Sequence, residues 1–218
     1  MKKPIYDKFD KKLIASLPRV VFDGRIEVVL TAHEATKAVN FLLTQPILGV
    51  DTETRPSFKR GQQHRVALLQ VSTHRICFLF RLNHTGLTPD IIRLLEDTTV
   101  PKIGLSWHDD LNSLHKLADF KPGYFVDLQH HVSEIGIQDL SLQKIYANIF
   151  RQKISKREQL SNWERDILDD RQKLYAATDA WACIVLYEEL QRLKLSGDYE
   201  LLTTEADNAN ETDTTEKR

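Results

Sequence analysis

Apolar and polar residues follow two different rhythms along this chain, and the change comes near its middle. Residues 47–54, Ile-Leu-Gly-Val-Asp-Thr-Glu-Thr, pass from a β-prone apolar half into a polar one. That is the profile of a strand that begins in a core and ends at a surface. Residues 66–72 and 75–82 read as two further strands joined at Thr73-His74, which predicts an antiparallel hairpin. Ahead of them, 25–30 is a short strand candidate. Thr31-Ala-His-Glu34 then reads as a capping box opening a helix through Ala35, Val39, Phe41 and Leu42.

After the hairpin the pattern alternates. Residues 89–96 predict a short amphipathic helix, 102–107 a strand, 109–117 a helix with Leu111, Leu114 and Leu117 on its apolar side, and 124–128 a strand. From Gln138 onward the reading is helical, past basic Lys153, Lys156 and Arg157, to a long helix over 171–195. A strand meander followed by alternating helix and strand implies an α/β fold, a mixed sheet flanked by helices. Residues 1–24 mix charges with single apolar residues and read as an arm on a domain spanning 25–202. Residues 203–218 are polar and without periodicity, and read as a disordered acidic tail.

Charge changes this picture only slightly. The chain has a formal net charge of −1. Its tail holds five acids against Lys217 and Arg218, a net −3, so the remaining chain carries +2. Metal ions over several of its acids would make that body more positive still, which permits a polyanionic substrate. Cys77 and Cys183 sit in apolar surroundings outside any Cys-x-x-Cys pair and read as buried thiols in a reducing compartment. No apolar run approaches the ~20 residues of a membrane span. The N-terminus is too polar for a secretory signal. These features predict a cytoplasmic, intracellular protein without a membrane partner.

Four carboxylates bear on chemistry. Asp51 and Glu53 are two apart on one predicted strand and share a face, where two anions repel each other and are costly to desolvate. Asp-x-Glu recurs at Asp198 and Glu200, so the motif alone is weak. Asp110 opens a helix after the predicted strand 102–107, at the mouth where α/β sheets collect ligands; the competing account is that Asp110 or Asp109 simply caps this helix, and both hold if Asp109 caps while Asp110 reaches inward. Asp179 lies in Leu-Tyr-Ala-Ala-Thr-Asp-Ala-Trp-Ala-Cys-Ile-Val-Leu, an apolar helix in which Asp is disfavoured and almost never buried unless paired. Tyr175 stands one turn earlier on the same face, and Ala176, Ala180 and Ala182 leave room beside it. A plain Tyr–Asp hydrogen bond inside a core is the competing account.

Taken in order, Asp51-Thr-Glu53, Asp110-Leu and Tyr175-Ala-Ala-Thr-Asp179 resemble the three motifs of the DEDDy 3'-5' exonucleases. The Werner-syndrome-type and ribonuclease-D-type exonuclease domains are the most similar. Val66-Ala-Leu-Leu-Gln70 and Ser161-Asn-Trp163 match as well, and the resemblance covers about 25–195. It implies a ribonuclease-H-like fold with a mixed five-stranded sheet. It further implies a metal-dependent 3'-5' exonuclease that releases nucleoside monophosphates, with DNA somewhat favoured over RNA. All-oxygen ligands suit Mg²⁺ or Mn²⁺, and two such ions can stabilise an in-line phosphodiester displacement. By resemblance Asp51 bridges both metals, Glu53 and Asp179 bind the ion carrying the attacking water, and Asp110 serves the second. Tyr175 orients that water, and Thr54 touches the terminal 3'-hydroxyl through its backbone.

Nucleic acid is therefore the expected partner. Lys59, Arg60, His64 and Arg65, with Lys153, Lys156 and Arg157, are candidate phosphate contacts. Phe58 and Trp107 are candidate stacking or wedging residues, a role that needs an exposed ring. No Gly-x-x-x-x-Gly-Lys-[Ser/Thr] loop is present, so a stand-alone domain without a helicase motor is expected. Two other readings stay open. One is a non-catalytic nucleic-acid-binding module of the same fold, which would be marked by a missing acid. The other is a structural domain whose acids cap helices and pair in the core; it predicts no divalent-metal binding.

Overall fold

The computed structural model describes residues 2–59 and 61–203, and a six-stranded mixed sheet lies at its centre. In chain order come β1 (Lys3–Tyr6), α1 (Lys11–Ile14), β2 (Arg25–Val29), α2 (Ala32–Leu42) and β3 (Leu48–Thr54). Next are β4 (Val66–Ser72), β5 (Ile76–Arg81), α3 (Leu82–Thr85), α4 (Pro89–Glu96), β6 (Lys102–Gly104) and α5 (Trp107–His115). Then follow β7 (Phe125–Asp127), α6 (Leu128–Glu134), α7 (Leu142–Phe150), α8 (Asp170–Ser196) and β8 (Tyr199–Leu202). The sheet order is β2-β5-β4-β3-β6-β7. Strands β3, β4 and β5 form the expected antiparallel meander, and β6 and β7 run parallel to β3. The resemblance implied five strands. The sixth is β2, a strand candidate from its own pattern, paired parallel to β5 at the edge.

Alternation along each strand sends side chains to two cores. On β5, Phe78 and Phe80 enter the core with α2, α4 and α5, while Cys77 and Leu79 enter a second one with α8. Because both faces are covered, all of β4 is buried. The Thr31 capping box forms as expected, with Glu34 reaching back to the Thr31 backbone N–H. Helix α8 crosses the sheet on β3, β4 and β5. Its approach to β3 is close enough that a Cβ at Gly49 would lie 1.9 Å from the Ala180 carbonyl oxygen. Only glycine fits there, and that contact brings Asp51 of β3 next to Asp179 of α8.

Residues 2–24 are built onto this body. β1 pairs parallel with β8 in a separate two-stranded sheet, Lys3 opposite Tyr199. Asn148 brackets Tyr6, accepting from its N–H at 2.9 Å and donating to its carbonyl at 2.7 Å. The Asp139 carboxylate accepts from the Phe9 N–H at 2.7 Å.

Two local expectations fail where tertiary contacts override the local pattern. The strand predicted over 102–107 stops at Gly104, and Trp107 already belongs to α5. Asp109 does not cap that helix. Instead the Asp127 carboxylate of β7 accepts from the N–H groups of Ser106 and Trp107, at 3.0 and 3.1 Å, with Ser106 in the left-handed region at φ 57°. The expected tail, from residue 204 on, lies outside the described residues, as does Arg60. Among the described residues no helix is long and apolar enough to cross a membrane.

Candidate active site

β3 delivers Asp51 and Glu53 to the face covered by α8, and α8 delivers Tyr175 and Asp179 one turn apart. Carboxylate oxygens of Asp51, Glu53 and Asp179 lie within 4.8 Å of one another. Together with Tyr175, Lys156 and Cys183 they line a cavity of about 260 Å³. Asp179 is only 6 % exposed, and its Oδ1 has no hydrogen-bond partner. A buried, unpartnered carboxylate oxygen beside two other carboxylates is an arrangement that a structural core avoids and a cation relieves.

The electrostatics follow from burial and mutual repulsion. Desolvation, then the charges of Asp179 and Asp110, push Asp51 well above the usual carboxylate range. Burial, followed by the Asp51 charge, raises Glu53 to about 10. Asp179 rises to about 7, chiefly by burial, with the Tyr175 hydroxyl and Lys156 pulling the other way. Burial and the surrounding anions also raise Tyr175, so its hydroxyl keeps its proton and acts as a hydrogen-bond donor rather than a base. The Cys183 thiol is pushed up in the same way, and it is inert as a nucleophile.

Asp110, on the first turn of α5, stands outside the group of three. Its carboxylate accepts from the Thr52 hydroxyl and rises to about 6, mainly through burial. Thr52 is a residue that sequence reasoning missed. Its side chain alternates away from those of Asp51 and Glu53, toward α5, and only the packing of α5 against β3 shows what it holds. Gln70 lies opposite Asp51 in the register, fully buried, with neither amide atom hydrogen-bonded.

Behind Tyr175 is a supporting layer. Trp163 is fully buried, with its ring 6.0 Å from that of Tyr175. Gln172 holds the segment before α8 by donating to the Ser161 hydroxyl at 2.8 Å and the Asn162 carbonyl at 3.2 Å. Buried Arg81 donates to the carbonyls of Arg165 and Asp166 from the sheet side. Glu164 in the same segment accepts from Arg55 at 3.2 Å and pairs with His64 at 2.8 Å, tying the basic loop after β3 to the site. His64 is thereby engaged rather than free for phosphate.

The predicted substrate contacts divide. Phe58 is 84 % exposed, and Thr54, Lys59 and Arg65 are exposed beside or beyond the end of β3, where a polymer could reach them. Trp107 is the correction. It is 2 % exposed and stacked on Phe125 at 5.3 Å, so it packs the core and cannot stack on a base. Lys156 lines the cavity and acts electrostatically on Asp179, a closer role than its place in a basic run suggested.

Comparison with known proteins bears on the family and the fold. The family model for the 3'-5' exonuclease domain matches residues 26–194. The bifunctional 3'-5' exonuclease/ATP-dependent helicase WRN of Mus musculus is 31 % identical over 188 residues, covering 82 % of this chain and 13 % of the relative. The exonuclease 3'-5' domain-containing protein 2 of Drosophila melanogaster is 33 % identical over 187 residues, covering 81 % of this chain and 32 % of the relative. The chain thus spans a third or less of the length of these two relatives. The Nibbler exonuclease domain of Aedes aegypti superposes with a TM-score of 0.71 at 18 % identity, covering 81 % of this chain and 91 % of that one. RNase D of Escherichia coli superposes with a TM-score of 0.71 at 17 % identity, covering 79 % and 46 %. At those identities the structures speak for the fold, which is the ribonuclease-H-like one. With the family pattern covering most of its length, the chain belongs to the DEDDy-type 3'-5' exonuclease family.

Proposed function

We propose that this protein hydrolyses phosphodiester bonds from the 3' end of a nucleic acid with the help of two divalent ions, Mg²⁺ or Mn²⁺, and releases nucleoside monophosphates. The observation that carries the proposal is the unpartnered, buried Asp179 oxygen within 4.8 Å of the Asp51 and Glu53 carboxylates. The donor set fits the ions: hard oxygens, no thiolate or imidazole among them, in a pocket whose burial already disfavours uncompensated charge. Asp51, Glu53 and Asp179 would hold them, with Asp110 available from α5. When bound, such ions offset the anionic cluster and stabilise the attacking and leaving oxygens of an in-line displacement.

The chain's own residues do the rest. The Tyr175 hydroxyl, kept protonated by burial and by its anionic neighbours, donates a hydrogen bond at the cluster and would orient the attacking water. Lys156 brings a positive charge to the cavity wall, where a phosphate oxygen would meet it. At the bulge between Glu53 and Thr54 the ladder is interrupted. Thr54, paired with Val66 beyond that shift and exposed at the end of β3, stands where a terminal 3'-hydroxyl would reach it. Phe58, almost fully exposed on the loop after β3, offers a face for a base. A Trypanosoma brucei RNase D of the same fold has been crystallised with RNA U12, consistent with a nucleic acid in this cleft.

The test uses matched DNA and RNA substrates, each with a 3' overhang and a 5' label, incubated with Mg²⁺, Mn²⁺ or EDTA beside the Asp51→Ala variant. The expected result is a ladder shortening from the 3' end that disappears with EDTA and in the variant. The relative rates on the two polymers give the sugar preference. Folded protein that leaves both intact in the presence of metal would move the assignment to the non-catalytic binding module.

A further inference from the structure

A second, larger cavity of about 670 Å³ adjoins the acidic one and shares Ser141, Gln143 and Lys156 with it. Its lining carries six cations and no acid: Lys11, Arg19, Lys144, Lys153, Lys156 and Arg157. Two of these are engaged within the protein. Lys144 pairs with Asp139 at 2.9 Å, and Lys153 donates to the Ala15 carbonyl. Lys11, Arg19, Lys156 and Arg157 are exposed and form no ion pair among the described residues. Lys156 also faces the Asp179 carboxylate, which leaves Lys11, Arg19 and Arg157 uncompensated along one groove, where they repel one another. An arrangement of that kind is relieved by a polyanion.

One wall of the groove comes from Lys11–Arg19, which precedes the region matched by the family pattern. That wall is held in place. Arg19 bridges Lys153 in a parallel β-contact, the Val20 N–H donates to the Lys153 carbonyl at 3.0 Å, and the Lys153 N–H donates to the Pro18 carbonyl at 2.9 Å. We propose that the N-terminal segment and the Lys153–Arg157 loop form a phosphate-binding groove that holds the backbone of a single nucleic-acid strand on the 5' side of the bond being cut. The inference rests on the nuclease reading for its direction. A strand whose last phosphodiester lies at Asp51 and Asp179 passes Lys156 and enters the groove. The N-terminal segment then sets affinity for long strands, while the family domain carries the chemistry.

The test is a Lys11→Ala/Arg19→Ala variant of the full chain, compared with wild type and with a charge-matched Lys37→Ala/Lys121→Ala control, whose positions do not line the groove. Binding of a fluorescent single strand of roughly 12 nucleotides is followed by anisotropy in EDTA, so that turnover plays no part. Each lost phosphate contact flattens the log–log salt dependence by about 0.7 for a single strand, so the groove variant should lose about 1.4 from the slope. A four-fold rise in salt then weakens wild type about seven-fold more than the variant. The control should keep the wild-type slope, and a trinucleotide should not distinguish the proteins. A slope unchanged in the groove variant, or wild type that does not bind the strand, overturns the proposal. Salt-dependent binding lost in the groove variant, with no hydrolysis by wild type in Mn²⁺, would instead retain the groove and refute the nuclease reading.

Discussion

Replacing Asp179 by asparagine should stabilise the metal-free protein while abolishing its turnover. Burial lifts the Asp179 pKa from 3.8 to about 7. Each unit is worth 1.36 kcal/mol, so ionising the folded protein costs about 4 kcal/mol at higher pH. Coulomb's law gives a similar size: a neighbouring unit charge 4.8 Å away repels by about 3.5 kcal/mol at an effective dielectric constant of 20. Asparagine has the same shape, keeps an oxygen for the Tyr175 hydroxyl and removes the charge. Protons shared with Asp51 and Glu53 reduce the gain, and about 2 kcal/mol is the expectation, or roughly 4–8 °C in Tm for a domain of this size. The sign with pH follows from linkage. A carboxyl with a raised folded pKa costs nothing below about pH 4, where both states are protonated, and destabilises increasingly as pH rises toward about 7. Thermal melts in EDTA should therefore show the variant above wild type at pH about 8 and converging with it near pH 4. Mn²⁺ should raise wild type more than the variant. If the Asp179→Asn protein melts at or below wild type in EDTA at the higher pH, the cluster is not the strained anionic site described here.

Two other perturbations address positioning. Gly49→Ala puts a Cβ 1.9 Å from the Ala180 carbonyl oxygen, where real contacts stay beyond 3.0 Å. β3 must retreat by more than 1 Å, carrying Asp51 away from Asp179. Turnover should fall about 100-fold and stability by about 1–3 kcal/mol, both read from kcat and Tm; wild-type kcat would deny the close approach its role. Tyr175→Phe should lower kcat by about 10–100-fold with KM little changed, since only the hydroxyl is lost. An unaltered kcat would remove Tyr175 from the reaction.

Much of this protein was legible in its sequence because the relevant signals are local. Alternation marked the meander and the edge strand β2, the Thr31–Glu34 box marked the start of α2, and an aspartate inside an apolar helix marked Asp179. Local backbone preference and side-chain periodicity decide such features within a few residues. Periodicity put Asp51 with Glu53 on one strand face and Tyr175 with Asp179 on one helix face, but it was the resemblance to the DEDDy exonuclease motifs that joined them with Asp110 into one expected site.

What tertiary structure alone decided depends on partners far away in the chain. Trp107 looked available for a base until Phe125 covered it, and Asp109 looked like a cap until Asp127, from the neighbouring strand, took the N–H groups at the start of α5. Thr52 acquires its meaning only from Asp110, 58 residues later. The N-terminal segment becomes a groove wall through β1–β8 pairing, between Lys3 and Tyr199, and through the Arg19–Lys153 bridge. Contacts of that range are selected by which surfaces meet once the sheet has formed. Their loop-closure cost is repaid by packing that no local pattern encodes.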